Sequence, residues 1–190
     1  MTQILLFSSV LGIRPGIADA VARLEAAGHE LVVPDYLDGR VGDEYDPAMD
    51  YAWNRLGGEE LVRRGRAAAE GLPDDLAVLG FSLGCVLAAT VATTRPVSRV
   101  VLAAGAIPPS DLPASWPAGV PAQVHEAVGD PFRDEGSAER MRDELATAGA
   151  GCEVFEYPGD GHLFMDASLP GEYDAASAEL FWTRVLAFLA

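Results

Sequence analysis

Lysine is absent from this 190-residue sequence, and all 13 of its basic residues are arginines. The absence excludes chemistry that needs a lysine amine, namely Schiff-base catalysis, the Walker-A phosphate site and serine–lysine dyads. Basic residues are also outnumbered, because 29 acidic residues give the chain a formal net charge of −16. Such an acidic chain is poorly suited to bind nucleic acid or an anionic membrane, so we expect neither as a partner.

Cysteine and histidine are scarce as well. The two cysteines, Cys85 and Cys152, are too few for a disulfide scaffold, and both lie in or beside apolar runs that predict buried thiols. The three histidines, His29, His125 and His162, are scattered along the chain, and no CxxC or HExxH motif occurs. We therefore expect no metal site and no cofactor.

Long hydrophobic runs are missing too. No apolar stretch approaches the length of a membrane span, and the residues after Met1 lack the basic region of a signal peptide. These two absences predict a cytoplasmic protein. With 190 residues, 49% of them apolar, the chain suits a single domain over residues 1–190 with one sizeable core.

Short apolar runs alternate with stretches of helical period, which predicts the α/β fold class. We expect a mostly parallel sheet of about six strands with helices on both faces. The predicted strands span residues 4–7, 30–33, 76–79, 99–103, 122–128 and 152–157, and the predicted helices span residues 15–27, 59–71, 85–92, 137–148 and 175–189. The helix over 85–92 should be the most buried one, and Ser137 is a plausible N-cap. The strand over 122–128 alternates partly and should be less fully buried, whereas 152–157 should lie at an edge.

Two long connections interrupt this alternation. Residues 36–57 exceed an ordinary βα loop and contain aromatic side chains among Asp and Gly, so they either wall a pocket or form a solvated acidic excursion. Residues 105–121 are rich in proline and contain Trp116, which either walls a pocket or patches the core. The candidate pocket residues are Ser9, Leu11, Tyr36 and Trp116.

The segment around Ser82 reads as a buried strand, a tight turn and a helix. Residues 80–84, Gly-Phe-Ser-Leu-Gly, separate two apolar runs. They have the G-x-S-x-G form of the nucleophile elbow, in which a strained serine sits on a turn with no room for neighbouring side chains. The motif predicts that Ser82 is a nucleophile on a compact α/β-hydrolase fold. The alternative is an ordinary turn serine.

Two further polar residues follow later strands. Asp130 comes after the fifth predicted strand and His162 after the sixth, which gives the chain order Ser, Asp, His. The loops after parallel strands meet at one edge of a sheet, so we expect these three side chains to lie together. We expect Ser82 to attack an acyl carbonyl, His162 to take and return its proton, and Asp130 to orient the imidazole.

Some residues compete for these roles. Asp134 lies in the same loop as Asp130, and Asp160 is close to His162 in sequence. The strand-Gly-Asp-Pro pattern favours Asp130. Cys85 is a rival nucleophile by chemistry, but its place inside a helix predicts that it faces the core.

An oxyanion site needs two N–H donors. The backbone N–H of Leu83 follows the nucleophile and lies at a helix N-terminus, so we expect it to be one donor. The second donor is expected from the loop after the first strand, with Val10 preferred and Leu11 next.

Several blocks of the sequence together resemble the dienelactone hydrolase family. They are residues 9–12, 33–36, 80–84, 129–131 and 157–164, which run through nearly the whole chain in order. The resemblance implies a catalytic triad, no metal, and hydrolysis of an ester or a lactone. Two positions depart from the family pattern, because Ser82 stands in place of the cysteine nucleophile and Ser9 in place of a glutamate in the first loop. These departures suit a general esterase better than a thiol enzyme acting on dienelactone.

The sequence therefore predicts a serine hydrolase that cleaves a small ester or lactone through an acyl-enzyme intermediate. A thioesterase or another acyl hydrolase could use the same triad. A binding module that retains the fold without catalysis is the alternative outside enzymes.

Overall fold

A six-stranded sheet forms the centre of the molecule in the computed structural model, which describes residues 2–190. The strands are β1 (Gln3–Phe7), β2 (Glu30–Val32), β3 (Ala77–Phe81), β4 (Arg99–Ala103), β5 (Ala122–Ala127) and β6 (Cys152–Tyr157). They lie in the order β2-β1-β3-β4-β5-β6, and every neighbouring pair is parallel. The predicted α/β fold class is confirmed, and β6 occupies the expected edge position.

Helices connect or follow these strands and cover both faces of the sheet. They are α1 (Pro15–Ala26), α2 (Tyr45–Met49), a π-helix (Asp50–Leu56), α3 (Gly58–Ala68), α4 (Leu83–Thr94), α5 (Ser137–Thr147) and α6 (Ala175–Leu189). Right-handed crossovers place α1 on one face and α3, α4 and α5 on the other, because the chain changes direction across the sheet after β2. Helix α6 returns to the α1 face, where Glu179 accepts a hydrogen bond from Arg23 at 2.6 Å.

The hydrophobic core lies between the central strands and α4. Strand β3 is buried along its whole length, and in β4 the four residues after Arg99 are apolar and buried. Helix α4 packs on β1, β3 and β4, and nine of its 12 residues are buried, against six of 15 in α6. The prediction that the helix after residue 82 is the most buried one is therefore confirmed. This burial fixes the N-terminal end of α4 against the sheet.

Strand β5 differs from the sequence prediction, because all six of its residues are buried. Gln123 and His125 hydrogen-bond to each other and to side chains of β6 rather than to water. His125 Nδ1 lies 2.8 Å from the Tyr157 hydroxyl, and His125 Nε2 lies 3.1 Å from Gln123 Oε1. Burial lowers the pKa of His125 to about 3, so the ring is neutral and structural. The partial alternation of the sequence therefore does not mark a solvated face.

Two other local predictions are wrong. Residues 45–56 were expected to belong to a long loop, but they form α2 and the π-helix, which we call the 45–56 segment. Tyr51 anchors this segment by donating a hydrogen bond to Asp38 Oδ2 at 2.6 Å. Ser137 is not an N-cap: Gly136 occupies that position with φ +80°, and the Ser137 hydroxyl donates to the Asp134 carbonyl.

None of the helices in residues 2–190 is both long and apolar enough to cross a membrane.

Candidate active site

Ser82 lies on a strained turn between β3 and α4. Its backbone has φ +52° and ψ −115°, a region that residues other than glycine rarely adopt, and its N–H donates to the Ala103 carbonyl at 2.8 Å. The glycines on either side permit this turn. A Cβ on Gly84 would lie 2.5 Å from the Phe7 carbonyl oxygen, and a Cβ on Gly80 would collide with the backbone of Gly84. Gly80 is therefore required by packing within the elbow, and Gly84 by packing of the elbow against β1.

The three loops that carry Ser82, Asp130 and His162 meet at the carboxyl edge of the sheet. Ser82 Oγ lies 2.7 Å from His162 Nε2, and His162 Nδ1 lies 2.6 Å from Asp130 Oδ2. Because a carboxylate only accepts, Nδ1 carries the proton toward Asp130, and Nε2 is left to accept from the Ser82 hydroxyl. The structure thus brings the three predicted side chains into one hydrogen-bonded chain.

Burial and a second hydrogen bond fix Asp130, the carboxylate of this hydrogen-bonded triad. Asp130 and His162 are 8% and 5% exposed, whereas Ser82 is half-buried and reachable from solvent. The other carboxylate oxygen of Asp130, Oδ1, accepts from the Phe132 N–H at 2.8 Å. Asp130 is therefore held on both oxygens, which leaves His162 one orientation between acid and serine.

The rival residues are placed elsewhere. Asp160 is exposed, and Asp134 pairs with Arg140 at 3.0 Å. Neither carboxylate hydrogen-bonds to His162. Cys85 is fully buried, its thiol lies 3.3 Å from the carbonyl oxygens of Gly80 and Ala103, and burial raises its pKa. A thiol kept protonated and covered in this way is a poor nucleophile.

Two aromatic side chains, for which the sequence predicts no role, pack against the His162 ring. Tyr45 meets it edge-on with ring centroids 5.6 Å apart, and the Phe132 centroid lies 4.8 Å away. The Tyr45 hydroxyl donates to Glu172 Oε1 at 2.9 Å, and Glu172 Oε2 accepts from the Leu163 N–H at 2.6 Å. Burial and the Glu172 carboxylate raise the pKa of Tyr45, so its hydroxyl remains a donor. Glu172 thus ties the 45–56 segment to the loop that carries His162.

The predicted oxyanion donors flank the serine. Val10 and Leu83 line the same cavity as Ser82. Leu83 is the first residue of α4, so its N–H has no acceptor within the helix. The N–H of Leu11, the second choice from the first loop, donates to Ser9 Oγ at 3.2 Å. This arrangement favours Val10 over Leu11.

A cavity of about 340 Å³ opens above Ser82. Its lining comes from the first loop, the 45–56 segment, the elbow and first turn of α4, the residues after β4, the end of β5 with the loop that follows it, the first residue of α5, and the loop that carries His162. The lining side chains include Val10, Tyr45, Met49, Trp53, Val86, Ile107, Asp111, Glu126, Phe132 and Asp134. Because the 45–56 segment contributes Tyr45, Met49 and Trp53, the pocket-wall alternative for this region agrees with the structure.

The four candidate pocket residues do not line this cavity. Tyr36 is buried in the core, where its hydroxyl donates to the Ser8 carbonyl at 2.6 Å. Ser9 and Leu11 are 3% and 1% exposed and hydrogen-bond to each other beneath the first loop. Trp116 donates from Nε1 to the Val120 carbonyl at 2.8 Å and borders a separate surface cleft. Ser9, Leu11 and Tyr36 do follow β1 and β2 at the carboxyl edge, but the sequence does not encode which side of a loop faces the cavity, and Trp116 lies near the start of β5 instead.

Within residues 2–190, no group of three or more His, Cys, Asp or Glu side chains is arranged to hold a metal ion.

The strand order and the elbow between β3 and α4 are those of an α/β-hydrolase. Solved structures share this fold. A dienelactone hydrolase-like promiscuous phosphotriesterase from metagenomic libraries is 19% identical and matches with a TM-score of 0.78 over 99% of this chain and 85% of its own. The apo form of Thermogutta terrifontis esterase 2 is 18% identical, with a TM-score of 0.61 over 99% of this chain and 82% of its own.

The sequence itself identifies the family. A carboxymethylenebutenolidase of Rhodococcus opacus is 28% identical in an alignment that is 204 residues long with its gaps. The alignment covers 97% of this chain and 79% of the relative. The family model of the dienelactone hydrolases matches residues 1–190. This chain therefore belongs to the dienelactone hydrolase family and is a hydrolase, as the resemblance in its motifs implied.

Proposed function

We propose that this protein is a serine hydrolase that cleaves a small ester or lactone through an acyl-enzyme intermediate. The observation that carries the proposal is the hydrogen-bonded chain from Ser82 through His162 to Asp130, with distances of 2.7 Å and 2.6 Å. A serine hydroxyl is a weak nucleophile unless a base removes its proton in the transition state. His162 is positioned as that base, and Asp130 stabilises the imidazolium that results.

The first half of the reaction forms the acyl-enzyme. Ser82 Oγ attacks the acyl carbonyl carbon while His162 Nε2 accepts the hydroxyl proton. The negative charge that develops on the carbonyl oxygen is stabilised by the N–H groups of Val10 and Leu83, and loss of one such donor typically costs about 3–4 kcal/mol. The tetrahedral intermediate then collapses, and His162 returns the proton to the departing alcohol oxygen.

The second half restores the enzyme. Water attacks the acyl carbon, His162 accepts a proton from that water, and the carboxylic acid leaves as Ser82 regains its proton. A lactone follows the same steps, except that the alcohol produced in the first half stays attached to the acyl group. The name of the Rhodococcus opacus relative describes hydrolysis of a butenolide, and the Thermogutta terrifontis protein is named an esterase, so both agree with this reaction class.

Labelling with a fluorophosphonate probe tests the proposal. We expect the folded protein to react with the probe at Ser82 and to hydrolyse small esters, with both properties lost in Ser82→Ala. Ser110→Ala, which removes an exposed serine that is not part of the cavity lining, serves as the matched control and should label normally. A folded wild-type protein that neither labels nor hydrolyses any ester would contradict the proposal.

A further inference from the structure

The charged side chains around the Ser82 cavity are of one sign. Asp111, Glu126 and Asp134 contribute to its lining, whereas none of the 13 arginines, all of which lie in the described residues 2–190, does so. His162 is the remaining group that can carry positive charge, and it is occupied by Asp130. Arg133 and Arg140 pair with Glu126 and Asp134 from outside the lining, so a substrate carboxylate placed in this cavity would face carboxylates and no arginine of the lining itself.

Glu126 is the one buried residue among the three carboxylates. It lies near the end of β5 and is 1% exposed, and its Oε2 atom accepts no hydrogen bond from residues 2–190. The nearest cation is Arg133, whose Nε lies 3.2 Å from Oε2 without hydrogen-bond geometry. Arg133 also donates to Glu156 at 2.5 Å, so one positive charge is shared by two carboxylates. A buried carboxylate whose charge is only partly compensated thus contributes to the lining of the cavity that contains Ser82.

Aromatic rings also line the cavity, beside the carboxylates. Tyr45, Trp53 and Phe132 line it, and the last two are 48% and 46% exposed at its mouth. Ring faces are negative and attract organic cations, with Trp the strongest of the three types. Large exposed aromatic groups beside a nucleophile also favour apolar substituents.

We propose that the Ser82 cavity selects esters that carry an alkylammonium-type cation and disfavours esters that carry a carboxylate, with neutral esters between them. Carboxylates supply the attraction to the cation, and the aromatic walls accommodate its apolar surface. The proposal rests on the proposed function, because it names the substrate class of the same site.

Three acetate esters of similar size test the charge preference. They are the esters of choline, of its neutral isostere 3,3-dimethylbutanol, and of 3-hydroxypropanoate. We expect kcat/KM to fall in that order, with about tenfold or more between the cationic and the anionic ester. Each ester is also measured as a competitor of fluorophosphonate labelling, so that the preference is observed even for an ester that turns over slowly.

Charge-neutral variants test which residue is responsible. Glu126→Gln should reduce the ratio of kcat/KM between the choline ester and its neutral isostere. Glu135→Gln, which removes the same charge from an exposed residue outside the lining, should leave that ratio unchanged. A merely structural role of Glu126 would slow all three esters equally and keep the ratio, and this result would overturn the role of Glu126.

The outcomes separate the two proposals. If Ser82 labels and the anionic ester is preferred, or all three esters are equal both as substrates and as competitors, the charge preference is overturned and the hydrolase proposal stands. If there is neither labelling nor hydrolysis, the proposed function fails and the charge preference fails with it.

Discussion

Asp130 shows most clearly how single side chains are fixed at this site. Its Oδ2 accepts from His162 at 2.6 Å, and its Oδ1 accepts from the Phe132 N–H at 2.8 Å. We expect Asp130→Asn to lower kcat by about 10⁴-fold while leaving the fold intact, because an amide nitrogen facing Nδ1 would favour the wrong imidazole tautomer. Steady-state kinetics with thermal unfolding of the same sample would measure both properties.

Asp160→Asn is the matched control for that variant. Asp160 is exposed two residues before His162 and makes no hydrogen bond to it, so kcat should remain at the wild-type value. A loss of activity in Asp160→Asn together with an active Asp130→Asn would assign the acid to Asp160 instead.

Glu126 makes the stability of the protein depend on pH. Burial is the largest cause that raises the pKa of Glu126 from 4.5 to about 6 in the folded protein. Between these two values the folded state binds more protons than the unfolded state, so this carboxyl lowers stability as the pH rises. We expect wild type to lose about 1 kcal/mol relative to Glu126→Gln between about pH 5 and pH 8.

Urea unfolding at the two pH values measures this difference. Glu135→Gln, on the exposed loop after β5, should differ from wild type by the same amount at both pH values. A constant difference between Glu126→Gln and wild type would show that the pKa of Glu126 is not raised in the folded protein.

For single side chains, the sequence predicted a position at the site only where the residue follows a recognisable strand. Ser82, Asp130 and His162 could be located because each lies in the short turn or loop that follows such a strand. Tyr45 and Phe132, which pack against the His162 ring, lie in segments whose apolar residues follow no period. Their contacts depend on how loops fold back over the sheet, and spacing along the chain does not carry that information.

The elbow is the element whose geometry is most sensitive to substitution. Gly84 packs so closely on the end of β1 that a Cβ would lie 2.5 Å and 2.6 Å from the carbonyl oxygens of Phe7 and Ser8. Both contacts are to backbone, so relief requires α4 to move away from β1. We expect Gly84→Ala to destabilise the protein by about 1–3 kcal/mol and to lower activity further, because the movement separates Ser82 from Val10.

The control for the elbow variant is Gly151→Ala, since no atom lies within 4 Å of the added Cβ and the backbone there is not left-handed. Thermal unfolding and ester hydrolysis of both variants provide the comparison. Equal stability and activity in the two variants would contradict the packing requirement at the elbow.

Helices and strands were predicted well where the local sequence pattern determines the structure, and poorly where contacts with distant residues do. Strand β4 and helix α6 have the predicted bounds, because their apolar patterns and flanking residues agree. Strand β5 was expected to be partly solvated, yet His125, Gln123 and Tyr157 form hydrogen bonds with one another inside the core. The 45–56 segment was expected to be a loop because its aromatic and acidic residues hide the helical period. Its anchoring contacts, such as that between Tyr51 and Asp38, come from tertiary packing.

Across the whole molecule, the topology of the sheet explains why the reacting groups meet. The chain passes from β1 to one side of the sheet and later returns to place β3 on the other side. The loop after β1 and the turn after β3 are therefore neighbours at the point where the strand order reverses, the usual position of a ligand site in such sheets. Val10 and Ser82 occupy those two loops, so the fold places the proposed oxyanion donor beside the proposed nucleophile.

The central claim is that the acyl group passes through Ser82, and acid-quench mass spectrometry tests it most directly. Wild-type protein is mixed with p-nitrophenyl acetate, quenched in acid within the first turnover, digested and analysed for acetylated peptides. We expect the acetyl group on the peptide that contains Ser82, and its absence from Ser82→Ala. Hydrolysis that proceeds while the acetyl group is never found on Ser82, or is found on Cys85, would contradict the account.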